Sequence, residues 1–263
     1  MSNEPKKGPI ISLREVEKSF NGLEVFRRLS LDVKRGETLT VIGGSGSGKT
    51  VLLKLMIGLL APDGGKVLFD GRDLTGLTQR ELVAVRTRFG MVFQGGALFD
   101  SYSVGENVAF PLREHHSYQE QEVRRIVSEK LGQVGLVGVQ DKYPAELSGG
   151  MKKRVALARA LVMDPEVILY DEPTTGLDPV LADTINELII HTHRLTGATS
   201  VVVTHDMVSA YKISQRIVML YQGQLQADDT PEGIRSSSDP LVRRFIEGRA
   251  DGAFSQTGSE DKR

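Results

Sequence analysis

The sequence predicts an α/β domain built on a largely parallel sheet with helices on both faces, and three observations carry that prediction. Helical runs alternate with short, continuously apolar segments such as Val167 to Tyr170 and Ala198 to Val203, the pattern of strands buried on both sides. A glycine cluster at Gly43 to Thr50 joins one such strand to a helix. Carboxylates, a histidine and a glutamine stand at the ends of other strands, where open α/β sheets bind ligands. At 263 residues and 40% hydrophobic content, the chain can bury one large core with a small appended part.

Taken in order, Ile10 to Val16 and Val25 to Val33 cluster β-formers around Asn21-Gly22, a hairpin signal, so the chain opens with an antiparallel element. Thr38 to Ile42 reads as a buried strand, followed by the glycine loop and an apolar helix from Lys49 to Leu60, closed by Pro62 and Gly64. Short strands follow near Lys66 to Phe69 and Gly90 to Phe93. The segment from Val104 to Lys142 is read as helical, within a helical subdomain spanning about 96–160. A helix from Gly149 to Val162 leads into the strand Val167 to Tyr170, and one from Val180 to Leu195 into Ala198 to Val203. Residues 1–9 are read as a flexible start, 10–248 as the domain, and 249–263, rich in glycine and serine, as a disordered or partner-dependent tail.

Composition narrows the function. With 33 Lys+Arg against 34 Asp+Glu the net charge is -1, so no basic excess points to nucleic acid. The absence of cysteine excludes disulfides, thiol nucleophiles and Cys-ligated metals. The polar N-terminus lacks the apolar core of a secretory signal. The most apolar stretch, Val51 to Ala61, is broken by Lys54 and far short of the roughly 20 residues a spanning helix needs.

The chemistry begins at Gly43 to Thr50, which reads GGSGSGKT: a glycine, four free positions, then Gly-Lys-Thr. Gly43, Gly44, Gly46 and Gly48, with Ser45 and Ser47 between them, let successive backbone N–H groups curl around a phosphate. The helix that starts there adds its positive end. Lys49 is then placed for the β- and γ-phosphates of a nucleotide, and Thr50 for Mg²⁺. Val167 to Glu172 reads VILYDE. If strand geometry persists to its end, Asp171 and Glu172 face opposite ways and divide the labour, Asp171 toward Mg²⁺ and Glu172 toward the attacking water. His205 ends a further apolar strand and is placed toward the γ-phosphate; Gln94 has the same placement after Gly90 to Phe93. Each is weak alone, and their convergence at one sheet edge carries the argument. His115 with His116, and His191 with His193, lack the i, i+4 spacing of a helical metal pair.

Leu147 to Met151 reads LSGGM, with Ser148 as N-cap of a helix rich in Lys152, Lys153 and Arg154. In order, GGSGSGKT, Gln94, LSGGM, VILYDE, TGLD at Thr175 to Asp178, and His205 resemble the ABC ATPases across nearly the whole chain. The resemblance implies their P-loop NTPase fold, with an antiparallel β subdomain and an inserted helical one, and ATP hydrolysis with Mg²⁺. It implies a head-to-tail homodimer in which Ser148, Gly149 and Gly150 of one subunit cover the nucleotide held by the other. Phe20 matches the adenine-stacking aromatic and Asp178 the dimer-contact loop. Gln94 matches a sensor linking Mg²⁺ to the transmembrane partner. Met151 stands where glutamine is usual, and Val51 where a second hydroxyl is common; losing that hydroxyl removes a phosphate bond worth on the order of 1 kcal/mol.

Within that family, GGALFDSYSVGENVAFPLREH at Gly95 to His115, the methionine of LSGGM and the ending from Asp239 to Gly252 resemble the Mla-type subfamily of phospholipid transporters. This implies transmembrane permease partners, an MCE-type lipid-binding protein beyond them, a small STAS-domain regulator, and a place on the cytoplasmic face of the inner membrane. An importer ATPase for amino acids, ions or metabolites is the alternative. A soluble ABC ATPase of repair or translation is disfavoured, since the chain has neither a long coiled-coil insertion nor two cassettes.

Overall fold

The computed structural model describes residues 8–249. Strands β1 (Ile11–Phe20) and β2 (Leu23–Val33) form the expected hairpin. Asn21 and Gly22 turn it with φ of 49° and 81°, the two positive values that suit the twist of a tight hairpin. Next come β3 (Thr38–Ile42), α1 (Lys49–Met56), β4 (Gly64–Phe69), β5 (Arg72–Asp73), α2 (Gln79–Arg86) and β6 (Phe89–Val92). Helix α1 is shorter than the apolar run suggests, because Gly58 takes φ 66°. The N–H groups of Leu59 and Leu60 then turn back to the Lys54 carbonyl at 2.8 and 3.1 Å, which ends the helix in place of Leu60.

The stretch read as helical from Val104 to Lys142 is two helices, α3 (Val104–His115) and α4 (Glu120–Gln133), followed by a loop. Gly135 and Gly138, at φ 70° and 71°, stop the helical path there. Helix α5 (Gly149–Leu161) precedes β7 (Val167–Asp171), and α6 (Pro179–Thr196) precedes β8 (Thr199–Thr204). The chain continues through α7 (Met207–Ile213), β9 (Arg216–Tyr221), β10 (Gln224–Asp229), α8 (Pro231–Arg235) and α9 (Pro240–Ile246). The tail from residue 250 and the first seven residues lie outside the described part.

Two sheets result, one antiparallel in the order β2-β1-β4-β5 and one in the order β10-β9-β3-β8-β7-β6. In the second, β3, β6, β7, β8 and β9 run parallel and only β10 pairs antiparallel, with β9. The period-2 alternation of its strands splits the core. Leu169, Val201 and Val203 pack with α1 and the antiparallel sheet. Ile168, Tyr170 and Val202 pack with α3, α4 and α5 on the other face. Strand β3 is buried along its whole length, so the loop that leaves it starts from the middle of the sheet. Among the described residues no helix is long and apolar enough to cross a membrane.

Candidate functional site

Gly43 begins the phosphate loop where β3 ends. A Cβ there would lie 2.5 Å from the Leu220 carbonyl oxygen and 2.7 Å from Ser47 Oγ, so no larger residue fits. Gly46 and Gly48 take φ of 77° and 97°, and the Ser47 N–H donates to the Gly44 carbonyl at 3.2 Å, which closes the curl ahead of α1. Gly44, Ser45 and Gly46 are exposed at its tip, while Lys49 is buried. Lys49 Nζ donates to the carbonyls of Gly43 at 2.8 Å and Gly44 at 3.1 Å. Ser47 Oγ is buried with no hydrogen-bond partner. An orphaned hydroxyl, a buried ammonium and a glycine curl at a helix start fit a phosphate group. Val51 is half-buried against the apolar cluster of Phe26 and Leu52.

The acidic pair meets this loop. Strand β7 ends at Asp171, and Glu172 has φ 49°, so the strand geometry that would send the two side chains to opposite faces stops between them. Asp171 Oδ1 accepts a hydrogen bond from Thr50 Oγ1 at 3.0 Å. Glu172 Oε1 lies 3.6 Å from Lys49 Nζ. Glu172 Oε2 accepts from Thr175 Oγ1 at 3.1 Å and Thr204 Oγ1 at 3.2 Å, and lies 2.9 Å from His205 Nδ1. The two carboxylates thus serve different partners on one side of the site, although not through alternation. Both are buried. Burial raises the Asp171 pKa, with the Glu172 charge adding to it and the Thr50 hydrogen bond opposing. Its raised value means that this group favours the fold only at low pH; once ionised it costs stability, which a cation beside it relieves.

Thr50 and Asp171 supply oxygen atoms of the kind Mg²⁺ takes. No group of three or more His, Asp or Glu residues among the described ones forms a metal cage, so an ion here needs phosphate oxygens or water to complete its shell. Gln94 follows β6 and is exposed; its carbonyl accepts from Lys153 Nζ. Phe20 is exposed at the end of β1, with Lys18 Nζ 5.2 Å from its ring centre.

Ser148, Gly149, Gly150 and Asp178 form a second group. Ser148 caps α5, its Oγ accepting from the Met151 N–H at 3.3 Å. A Cβ on Gly149 would meet Leu177 at 3.6 Å, and one on Gly150 would meet Leu181 at 3.5 Å, so this turn lies beside the start of α6. Asp178 caps α6, accepting from the N–H groups of Val180 and Leu181, both at 3.0 Å. Among the described residues no hydrogen bond joins this group to Lys49, Glu172 or His205. Sequence reading gave no role to Thr204 or Lys153, and it marked Thr175 only as the first residue of TGLD; Thr175 and Thr204 bind Glu172 directly, and no pattern in the sequence marks Thr204.

Residues 26–175 match the ABC transporter family. The chain belongs to that family. The chain is 42% identical over 255 residues to a probable ribonucleotide transport ATP-binding protein, mkl, of Mycobacterium leprae, covering 97% of this chain and 74% of that protein. It is 44% identical over 228 residues to the intermembrane phospholipid transport system ATP-binding protein MlaF of Haemophilus influenzae, covering 87% and 86%. Among solved structures it superposes on the ATP-binding cassette MJ0796, a dimer in a post-hydrolysis state with ADP and Pi, at a TM-score of 0.78 and 32% identity, covering 84% of this chain and 98% of that one. The ABC cassette fold accounts for both sheets and the helices between them.

Proposed function

We propose that this ABC chain hydrolyses ATP with Mg²⁺ as a homodimer and drives permease subunits that move phospholipid in a bacterial envelope. The observation that carries the ATPase reading is Glu172, held by Thr175, Thr204 and His205 and facing the Lys49 ammonium at 3.6 Å. A carboxylate fixed on three sides beside a phosphate loop is oriented to polarise a water, and orientation is what phosphoryl transfer most needs. His205 holds Glu172 and stands toward the γ-phosphate. Lys49 leaves the loop carbonyls for the β- and γ-phosphates, and Gly43 to Thr50 wrap them. Thr50, Asp171 and Gln94 hold Mg²⁺, which when bound neutralises charge on the phosphates. Phe20 stacks on adenine, while Ser148, Gly149, Gly150 and Asp178 of a second copy cover the nucleotide.

The lipid reading is supported by the 44% identity to MlaF and by the Gly95 to His115 segment. With it come an MCE-type lipid-binding protein reached through the permease, a small STAS-domain protein, and a peripheral place on the cytoplasmic face of the inner membrane. The mycobacterial relative, named for ribonucleotide transport, matches 97% of this chain and favours ribonucleotide as the second reading. Co-reconstitution with the permease decides between them: hydrolysis stimulated by phospholipid acceptor vesicles and not by ribonucleotide supports the lipid, and the reverse overturns it. For the ATPase itself, Glu172→Gln lowers turnover on the order of a hundredfold or more while ATP still binds. Turnover at the wild-type rate in that variant removes the role given to Glu172.

A further inference from the structure

Lys153 lies in the second turn of α5, in the basic run Lys152 to Arg154. Its neighbours Lys152 and Arg154 are half-buried, but Lys153 is only 7% exposed and its Nζ donates to the Gln94 carbonyl. Farther along the helix, Arg159 Nη1 donates to the Ala97 carbonyl and Nη2 to the Gly96 carbonyl, both at 2.8 Å. Gly96 and Ala97 take φ of 77° and 48°, and this tight turn presents the carbonyls of Gln94, Gly96 and Ala97 to two cations on one helix. Such charge-assisted bonds are about twice as strong as neutral ones.

The second half of the segment is held from α3. Asn107, fully buried, accepts from the Phe99 N–H at 2.8 Å and donates to the carbonyls of Phe99 and Tyr102 at 3.1 Å and of Ser103 at 3.0 Å. The stretch from 94 to 103 is therefore stapled to the helices that follow it rather than to the sheet that precedes it.

We propose that Lys153 is a positioning residue for hydrolysis. It grips the Gln94 carbonyl from the helix that Ser148 caps, fixes where Gln94 stands relative to Thr50 and Asp171, and makes Gln94 follow any rotation of α5. This rests on the reading of Thr50, Asp171 and Gln94 as the Mg²⁺ side of the site. A lysine that merely satisfied a buried carbonyl would matter to folding alone.

Lys153→Met removes the donor and keeps the apolar stem. In the full-length chain it lowers kcat about tenfold or more, with ATP affinity measured in EDTA kept within about twofold. The Mg²⁺ concentration giving half-maximal hydrolysis rises several-fold, and amide exchange quickens across 94–97 but not in β7. Lys153→Arg, which restores a cationic donor, returns kcat to within about threefold of wild type. Wild-type kcat and Mg²⁺ dependence in Lys153→Met overturn the proposal, as does a joint fall of kcat, EDTA affinity and melting temperature. Failure of Lys153→Arg to rescue at a wild-type melting temperature also overturns it. Should Lys153→Met not fold, Lys153→Gln, a shorter neutral donor, carries the same readouts with smaller shifts, and wild-type values there are equally fatal. Glu172→Gln measured alongside separates the two readings: a dead Glu172→Gln with an unaffected Lys153→Met sinks only this proposal, whereas an active Glu172→Gln sinks the site.

Discussion

The phosphate-loop end and the Ser148 end of this chain are both glycine turns leading into helices, yet they are built in opposite ways. At the first, Gly43 sits with no room for a methyl group, Lys49 is buried, and the end of β7 delivers both Asp171 and Glu172 to the same loop. At the second, Ser148 and Gly149 are exposed, and a Cβ on Gly149 would make only an ordinary contact at 3.6 Å. The first is assembled by folding. The second has space in front of it, which is what a surface needs if another molecule is to complete it.

The largest expected effect belongs to the assembled end. Lys49→Ala removes the one ammonium inside the loop and weakens ATP binding about ten- to a hundredfold, the worth of charge-assisted bonds of about 1.5–3 kcal/mol; calorimetry at wild-type affinity contradicts this. A medium effect belongs to the exposed end. If Ser148 acts on the partner's nucleotide and a pair works only when both of its sites are intact, an equal mixture of wild type and Ser148→Arg retains about a quarter of the activity, since only wild-type pairs then work. Loss in simple proportion, to about half, breaks the contrast by showing that the two sites of a pair do not depend on each other. The smallest effect is the sharpest comparison. Gly43→Ala forces a clash with backbone and destabilises the fold by about 1–3 kcal/mol, whereas Gly149→Ala leaves the melting temperature at or slightly above wild type and lowers hydrolysis only. Equal melting temperatures for the two variants would erase the distinction.

The same division explains what could be read from the sequence. The Asn21-Gly22 hairpin, the buried strands and the phosphate loop were legible because each depends on local chemistry: positive φ, continuous apolar runs, glycine spacing. Helix α2 was not, since only Leu82 and Val85 of its eight residues are buried and an apolar period is hard to find in so little. The two-residue strand β5 is too short to leave a pattern, and the elements after β8 went unassigned although Thr230-Pro231 and Asp239-Pro240 mark the starts of α8 and α9. Helix α1 was overextended because Gly58 interrupts an apolar run that otherwise continues to Leu60. In the site, Lys49, Asp171, Glu172 and His205 were found by their places at strand ends. Thr204 was not, because a threonine that binds Glu172 looks in sequence like any strand threonine, and Thr175 was marked as the start of TGLD without its bond to Glu172 being visible. The positive φ at Glu172 was likewise invisible, being imposed by the turn that the two threonines and His205 surround.

The order of the larger sheet has a mechanical consequence. Strand β3, which feeds the phosphate loop, is seamed on both sides, to β8 and β9, whereas β6, which feeds Gln94, is the outermost strand and is seamed only to β7. A tug transmitted along the stretch after β6 strains a single row of hydrogen bonds at the margin and leaves the grip on the nucleotide undisturbed. A load applied through Gln94 can therefore be taken up at the hem of the sheet without loosening its centre.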